Sequence, residues 1–148
     1  MRALVALGSN LGDRRGSLEA GLALLRELGT VTASPLCTET PDESGQGPDY
    51  LNTVAILETG LSDVRALLEA LLRAELRAGR DRGQGRNAPR TLDLDLIRVD
   101  GVIGHWRWLS PPDLAALGRE LELELPHPRA ASRPFVVEPA RALGVVVS

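Results

Sequence analysis

Apolar residues recur along this chain with two alternating periods. Residues 2–8, RALVALG, form a short apolar run that ends in the turn GSNLGD and predicts a buried strand. From Asp13 to Leu28 the leucines at 18, 22, 25 and 28 return at helical spacing, and Gly29 stops the run. TVTASPLCTET then alternates as a strand does and leads into the Pro/Gly-rich TPDESGQGPD. YLNTVAILETG predicts a third strand, with Leu51, Val54, Ile56 and Leu57 as its apolar bulk. Ser62 stands where a cap is expected for a second helix over 63–78, apolar at Val64, Leu67, Leu68, Leu71 and Leu72. Gly79 is the expected end of that helix. RTLDLDLIRV predicts a fourth strand, and Asp-Gly at 100–101 a hairpin turn.

That order, β-α-β-β-α-β, predicts an α+β ferredoxin-like sandwich with helices packed on an antiparallel sheet. Beyond Val102 a short helix is expected from about Pro112 to Gly118, followed by an extended segment. RPFVVEPARALGVVVS is expected to add a helix or strand as a peripheral C-terminal extension. No repeat or linker divides the chain, so residues 1–148 are expected to form a single domain. The 148 residues are 43% apolar, enough for a real core. A net charge of −3 and only four aromatic rings argue against a nucleic-acid or membrane partner. All 17 basic residues are arginine, which excludes a Schiff-base lysine and a lysine-dependent phosphate loop. The single Cys37 excludes an internal disulfide and suits a reducing compartment. A cytoplasmic monomer acting on small molecules is the expectation.

The stretch RTLDLDLI carries the candidate chemistry. Alternation puts Leu92, Leu94 and Leu96 on one face of the strand and Asp93 and Asp95 on the other. Two aspartates in alternate positions are poor strand formers, and their charges repel. A solvated strand face would tolerate them, whereas Mg²⁺ between them would relieve the repulsion and favour both ionised forms. Arg77, Arg80, Arg82, Arg86 and Arg90 precede them in a glycine-rich segment, and guanidinium groups bind phosphate bidentately. The pairing points to a nucleotide polyphosphate. His127 lies between two prolines in LPHPR, and Asn10 in GSNLGD is placed to brace neighbouring loops.

Taken together, ALGSNLGD, Thr40-Pro41, PDYLN, ELRAGRDR, PRTLDLDLI, Pro126-His127 and RPF resemble the 6-hydroxymethyl-7,8-dihydropterin pyrophosphokinase family of folate biosynthesis. The resemblance runs in the family's order over about residues 3 to 137. It implies the same ferredoxin-like fold, and transfer of pyrophosphate from ATP to the pterin's hydroxymethyl group with release of AMP. It implies Asp93 and Asp95 as ligands of two Mg²⁺ ions and, with Arg80 and Arg90, as catalytic residues. Glu75, Arg82, Arg90, His127 and Arg133 match positions that hold ATP. Tyr50, Asn52 and Phe135, with Thr40 and Pro41, match the pterin pocket, and they include the only Tyr and the only Phe in the chain. Metal contact would acidify the attacking hydroxyl, since no side-chain base is evident.

The chain also departs from the family pattern. Asn87 stands where the mobile loop often carries a tryptophan, which leaves closure weaker or falls to Trp106 or Trp108. The stretch from Ile97 to Pro126 is longer than usual, the chain after Phe135 is short, and Leu72 and Pro128 replace common nucleotide contacts. Two other functions use the same features. A two-metal nucleotidyltransferase would release pyrophosphate instead of AMP, and a non-catalytic ferredoxin-like module would bind its ligand without metal.

Overall fold

The structure, a computed structural model, describes residues 1–42, 45, 47–81 and 92–148, with all side chains in that range except those of Arg80 and Asp81. The first strand, β1 (Arg2–Ser9), leads to helix α1 (Arg14–Arg26), whose start is capped by Asp13 accepting from the Gly16 amide at 2.9 Å. Strands β2 (Gly29–Ala33), β3 (Thr38–Thr40) and β4 (Tyr50–Thr59) follow, then helix α2 (Val64–Asp81) and strand β5 (Asp93–Val99). Among the described residues the sheet runs β2-β4-β1-β5, all antiparallel, with β3 extending the β2 side of β4. This is the ferredoxin-like order. The single strand expected over 30–40 is two short strands, because the chain breaks at Ser34-Pro35 and proline supplies no amide to a ladder.

Helix α2 departs from expectation at both ends. Its cap is Asp63, whose carboxylate accepts the Arg65 amide at 2.9 Å, and not Ser62. At the far end α2 continues through Gly79 to Asp81. Tertiary anchors outweigh the roughly 1 kcal/mol that a helical glycine costs. Ala74 and Ala78 are buried, and Arg77 grips Glu27 of the α1 terminus with both terminal guanidinium nitrogens, the shorter bond at 2.7 Å.

The sheet has a core on each face. Val5 and Leu7 of β1 and Leu94 and Leu96 of β5 pack with Leu18, Leu22 and Leu25 of α1 and Leu67 and Leu71 of α2. The opposite face carries Leu4, Val54, Ile56 and Ile97, covered by Val136 and Ala140 of a third helix, α3 (Pro134–Ala142). The C-terminal segment thus adds a packed layer. Alternation along β5 sends Leu96 to the first core and Ile97 to the second, and a bulge, at which the register with β1 skips Ile97, then puts Val99 on the first core beside Ala3. Asp-Gly 100–101 forms a turn closed by the Val102 amide on Val99 O, but the strand beyond it leaves the sheet.

That strand, β6 (Gly104–Leu109), pairs instead with β7 (Glu120–Leu125), joined through a 3₁₀ turn over Pro112–Leu117. Residues 104–125 are therefore a hairpin tied to α2. The Trp108 indole donates to Glu69 at 2.9 Å, and Arg73 binds Asp113 through two bonds.

Helix α1 lies close to the sheet at Gly21, where an added Cβ would sit 2.9 Å from Leu7 and 3.0 Å from Leu92, both buried. Gly21→Val is expected to destabilise the fold by about 2 kcal/mol or more through overpacking, measured by denaturant unfolding. An unchanged midpoint would mean that α1 is less closely seated.

Candidate functional site

Small residues on one side of β1 open the site. Ala6 and Gly8 face away from α1 and α2, and antiparallel register sets Gly8 between Asn52 of β4 and Asp93 of β5. The next row sets Ala6 between Val54 and Asp95, while β3 adds Thr38 beside Asn52 and Thr40 beside Tyr50. With Gly8 and Ala6 as floor, a cavity of about 280 Å³ forms, walled by Pro41, Tyr50 and Asn52 on one side and Asp93 and Asp95 on the other. Arg133 and Phe135, at the start of α3, close a third side, with the Arg133 guanidinium 5.8 Å from the Phe135 ring centre.

The walls are braced from outside. Asn10 donates to Pro48 O at 3.4 Å, and Arg14 donates to Asp49 O at 3.0 Å, so the GSNLGDRR segment holds the chain just ahead of Tyr50. Asp42 folds its own loop by accepting from the Gly47 amide at 3.1 Å. The Asn52 side-chain amide donates to Thr38 O and to Thr40 Oγ1. On β5, Glu75 of α2 accepts the Leu94 amide at 2.6 Å, pinning the strand between its two aspartates.

Charge in the site is unevenly tolerated. Asp95 opens to solvent at the cavity mouth, yet protein atoms around it displace part of its water. That desolvation raises its pKa; Asp93 adds to the rise, and His127, Arg133 and Arg129 partly offset it. His127 follows β7, and its amide donates to Ile97 O at 2.7 Å, which holds the ring near the end of β5. Burial lowers its pKa, with Arg133 and Arg129 acting the same way and Asp95 opposing. Its Nδ1 accepts from the Arg129 amide at 3.2 Å, so the neutral ring carries its proton on Nε2 and can donate there.

Among the site residues read from the sequence, Pro41, Tyr50, Asn52, Asp93, Asp95, Arg133 and Phe135 line one cavity. Thr40 stands behind Asn52 as a hydrogen-bond partner, His127 interacts electrostatically with Asp95, and Glu75 is engaged with β5. Arg80 belongs to the last turn of α2, while Arg82 and Arg90 lie outside the described residues, as does Asn87. Trp106 and Trp108 do not supply a ring to the cavity. Both pack against the core under the helices, because alternation along β6 turns them inward from the hairpin. Ala6, Gly8 and Arg129 went unnoticed in the sequence; alternate small residues in β1 were the available signal for the first two.

The fold and cavity define an α+β protein whose cavity sets aromatic walls against a carboxylate pair. The chain belongs to the 7,8-dihydro-6-hydroxymethylpterin-pyrophosphokinase (HPPK) family, whose description matches residues 4–144. It is 38% identical over 141 residues to the 2-amino-4-hydroxy-6-hydroxymethyldihydropteridine pyrophosphokinase of Pseudomonas aeruginosa, covering 93% of this chain and 77% of that protein. The proteins of that name from Mycobacterium leprae and Mycobacterium tuberculosis are 36% and 34% identical over 138 residues, covering 93% of this chain and 69% and 70% of theirs. Among the described residues no helix is long and apolar enough to cross a membrane.

The Asp95 shift has a sign that can be checked. An ordinary aspartate ionises near pH 4, and folding raises that value here. The folded chain therefore holds the proton more tightly, and metal-free stability falls as pH rises from about 4 through the folded pKa. Asp95→Asn removes this penalty. In chelator-treated protein it is expected to raise the melting temperature by about 2 °C at pH 7, a small effect because the group retains solvent. The difference should vanish near pH 3.5; a variant less stable than the parent at pH 7 would contradict it.

Proposed function

We propose that this protein transfers pyrophosphate from ATP to the hydroxymethyl group of 6-hydroxymethyl-7,8-dihydropterin, giving the pterin diphosphate and AMP. The observation that carries this function is a single cavity lined both by the Tyr50, Asn52 and Phe135 cluster and by Asp93 and Asp95. Family membership supplies the reaction, and the cavity supplies a chemically sensible place for each substrate. A flat heterocycle suits an aromatic slot with one polar group at its edge. The triphosphate suits the arginine-rich side, where Arg133 and the Nε2 proton of His127 donate. Glu75 completes the proposed ATP set with Arg82 and Arg90.

Mg²⁺ fits the donor set. Asp93 and Asp95 offer hard oxygen ligands on one strand face, and the raised pKa of Asp95 reflects a charge that a cation would stabilise. Among the described residues no group of three or more His, Cys, Asp or Glu side chains converges as a closed cage. A two-carboxylate site leaves coordination positions for phosphate and water, as Mg²⁺ sites commonly do. When bound there, two such ions would neutralise the triphosphate and lower the pKa of the attacking hydroxyl.

The chain's own contribution is then alignment and charge. Tyr50 and Phe135 fix the plane of the pterin, Asn52 sets its rotation in that plane, and Thr40 and Pro41 support the wall. The hydroxymethyl oxygen forms a bond to the β-phosphorus and gives up its proton to solvent as the bond from that phosphorus to the α,β-bridging oxygen breaks and AMP leaves. Arg80 and Arg90 are proposed to stabilise the charge on the transferring group, Arg82 and Arg133 to hold the nucleotide. The working form is a cytoplasmic monomer acting on two small molecules.

Incubation with ATP, Mg²⁺ and the hydroxymethyldihydropterin should yield AMP and a pterin diphosphate in equal amounts, resolved by chromatography. Pyrophosphate with an adenylylated product would instead indicate nucleotidyl transfer. Chelation should stop turnover and Mg²⁺ restore it. Asp93→Asn should lower kcat by about 10²-fold or more. Tyr50→Ala should raise KM for the pterin by about tenfold while leaving that for ATP nearly unchanged. Full activity of Asp93→Asn would rule out the proposed metal role.

A further inference from the structure

Arg14 stands where helix electrostatics disfavours it. It is the first residue of α1, whose first turn holds no acidic side chain beyond the Asp13 cap, and the positive end of a helix dipole repels a cation. Arg15 beside it is exposed and makes no hydrogen bond or ion pair among the described residues. Arg14 instead turns toward the sheet, with its side chain 31% exposed. Its Nη1 donates to Asp49 O at 3.0 Å and its Nη2 to Glu39 Oε1 at 3.4 Å. Those two acceptors immediately precede Tyr50 and Thr40, which pair as the last rung of β3 on β4. Strand β3 has only three residues, and the end of so short a ladder is where it frays. Alternation puts Glu39 and Leu51 on the side of the sheet that faces α1, with Leu51 buried in the first core, while Tyr50 and Asn52 line the cavity on the other. The guanidinium therefore grips this rung from behind the cavity wall, outside the lining.

We infer that Arg14 is a positioning residue for the pterin side of the site: by fastening the Thr40–Tyr50 rung it sets the Tyr50 ring at the angle a stacked heterocycle needs. The inference rests on the pterin-binding function proposed above and deepens it. Stacking depends on the plane and offset of the ring, so a rung free to shift weakens heterocycle binding before it disturbs anything else. The carboxylate side is built separately, from β5, α2 and the start of α3. Loss of Arg14 therefore acts on one substrate and not on the other. Asn10 bonds the same stretch at Pro48 O, but it is neutral, and its 3.4 Å contact does not replace a charged donor.

Steady-state kinetics of Arg14→Ala, Arg15→Ala and Tyr50→Ala, singly and with the first and last combined, test this. Arg14→Ala is expected to raise KM for the pterin about fivefold, with kcat and KM for ATP within about twofold of the parent. Arg15→Ala removes an equal charge from the same helix end and should leave all three constants unchanged. In a Tyr50→Ala background no ring is left to position, so adding Arg14→Ala should raise KM for the pterin by less than about twofold. Amide exchange over residues 49–51, followed by mass spectrometry, should quicken in Arg14→Ala and not in Arg15→Ala. An unchanged pterin KM in Arg14→Ala would overturn the inference, as would an equal effect of Arg15→Ala, a parallel rise in KM for ATP, or full additivity with Tyr50→Ala. Arg14→Lys keeps the charge and one of the two bonds; it should fall between the parent and Arg14→Ala, and carries the same comparison if the alanine variant does not fold. Fluorescence titration with 6-hydroxymethylpterin reads the effect without turnover. A complex about fivefold weaker in Arg14→Ala, with no turnover by the parent, would count against the proposed reaction and uphold this inference. Turnover with a pterin affinity indifferent to Arg14 would do the reverse.

Discussion

Strand β1 must be small on one face and large on the other. On the cavity side Ala6 and Gly8 separate Asn52 and Val54 from Asp93 and Asp95. Neighbouring strands lie about 4.8 Å apart, so β4 and β5 are held about 10 Å from one another, backbone to backbone, with the floor between them. A side chain at position 8 would crowd Asn52 and Tyr50. On the opposite face Val5 and Leu7 are buried under α1 and α2. A register slip of one residue would exchange the two sets, emptying the core and filling the cavity together. Folding correctly and having a site are thus one requirement at this strand.

The remaining walls come from elements already committed to the core. Helix α3 buries Val136 and Ala140 on the second face of the sheet, which brings Arg133 and Phe135 at its start to the cavity. Helix α2 packs beneath β5 and pins the strand through Glu75 on the Leu94 amide. Packing thus holds the site on rigid elements, as tight geometric control of a reaction requires. The cost is local and falls on charge. Asp95 sits where its ionised form is disfavoured, and the two cores offset that penalty without removing it.

Much of the fold was legible because periodicity reports directly on burial. The leucines of α1 and α2 and the alternation around Asp93 and Asp95 correspond to the buried and cavity faces of those elements. Local signals failed where distant contacts overrode them. Gly79 does not end α2, because Ala78 and the Arg77–Glu27 pair hold the last turns. Asp-Gly 100–101 makes a turn, but β6 pairs with β7, which lies beyond a 3₁₀ turn. Trp106 and Trp108 had the chemistry of a stacking surface, yet the hairpin turns both into the core.

Sequence alone was sufficient for the order of the elements, the shared face of Asp93 and Asp95, and the family to which the motifs belong. These are properties of neighbouring residues, where spacing converts into direction through a fixed backbone repeat. Tertiary structure decided what stands opposite what. Gly8 lies between Asn52 and Asp93, residues some forty positions apart in sequence, and only sheet register makes them neighbours. The Asn52 side-chain amide was likewise oriented by Thr38 and Thr40 on an adjoining strand. Side-chain amides take their orientation from partners across space, and no spacing along one strand encodes those partners.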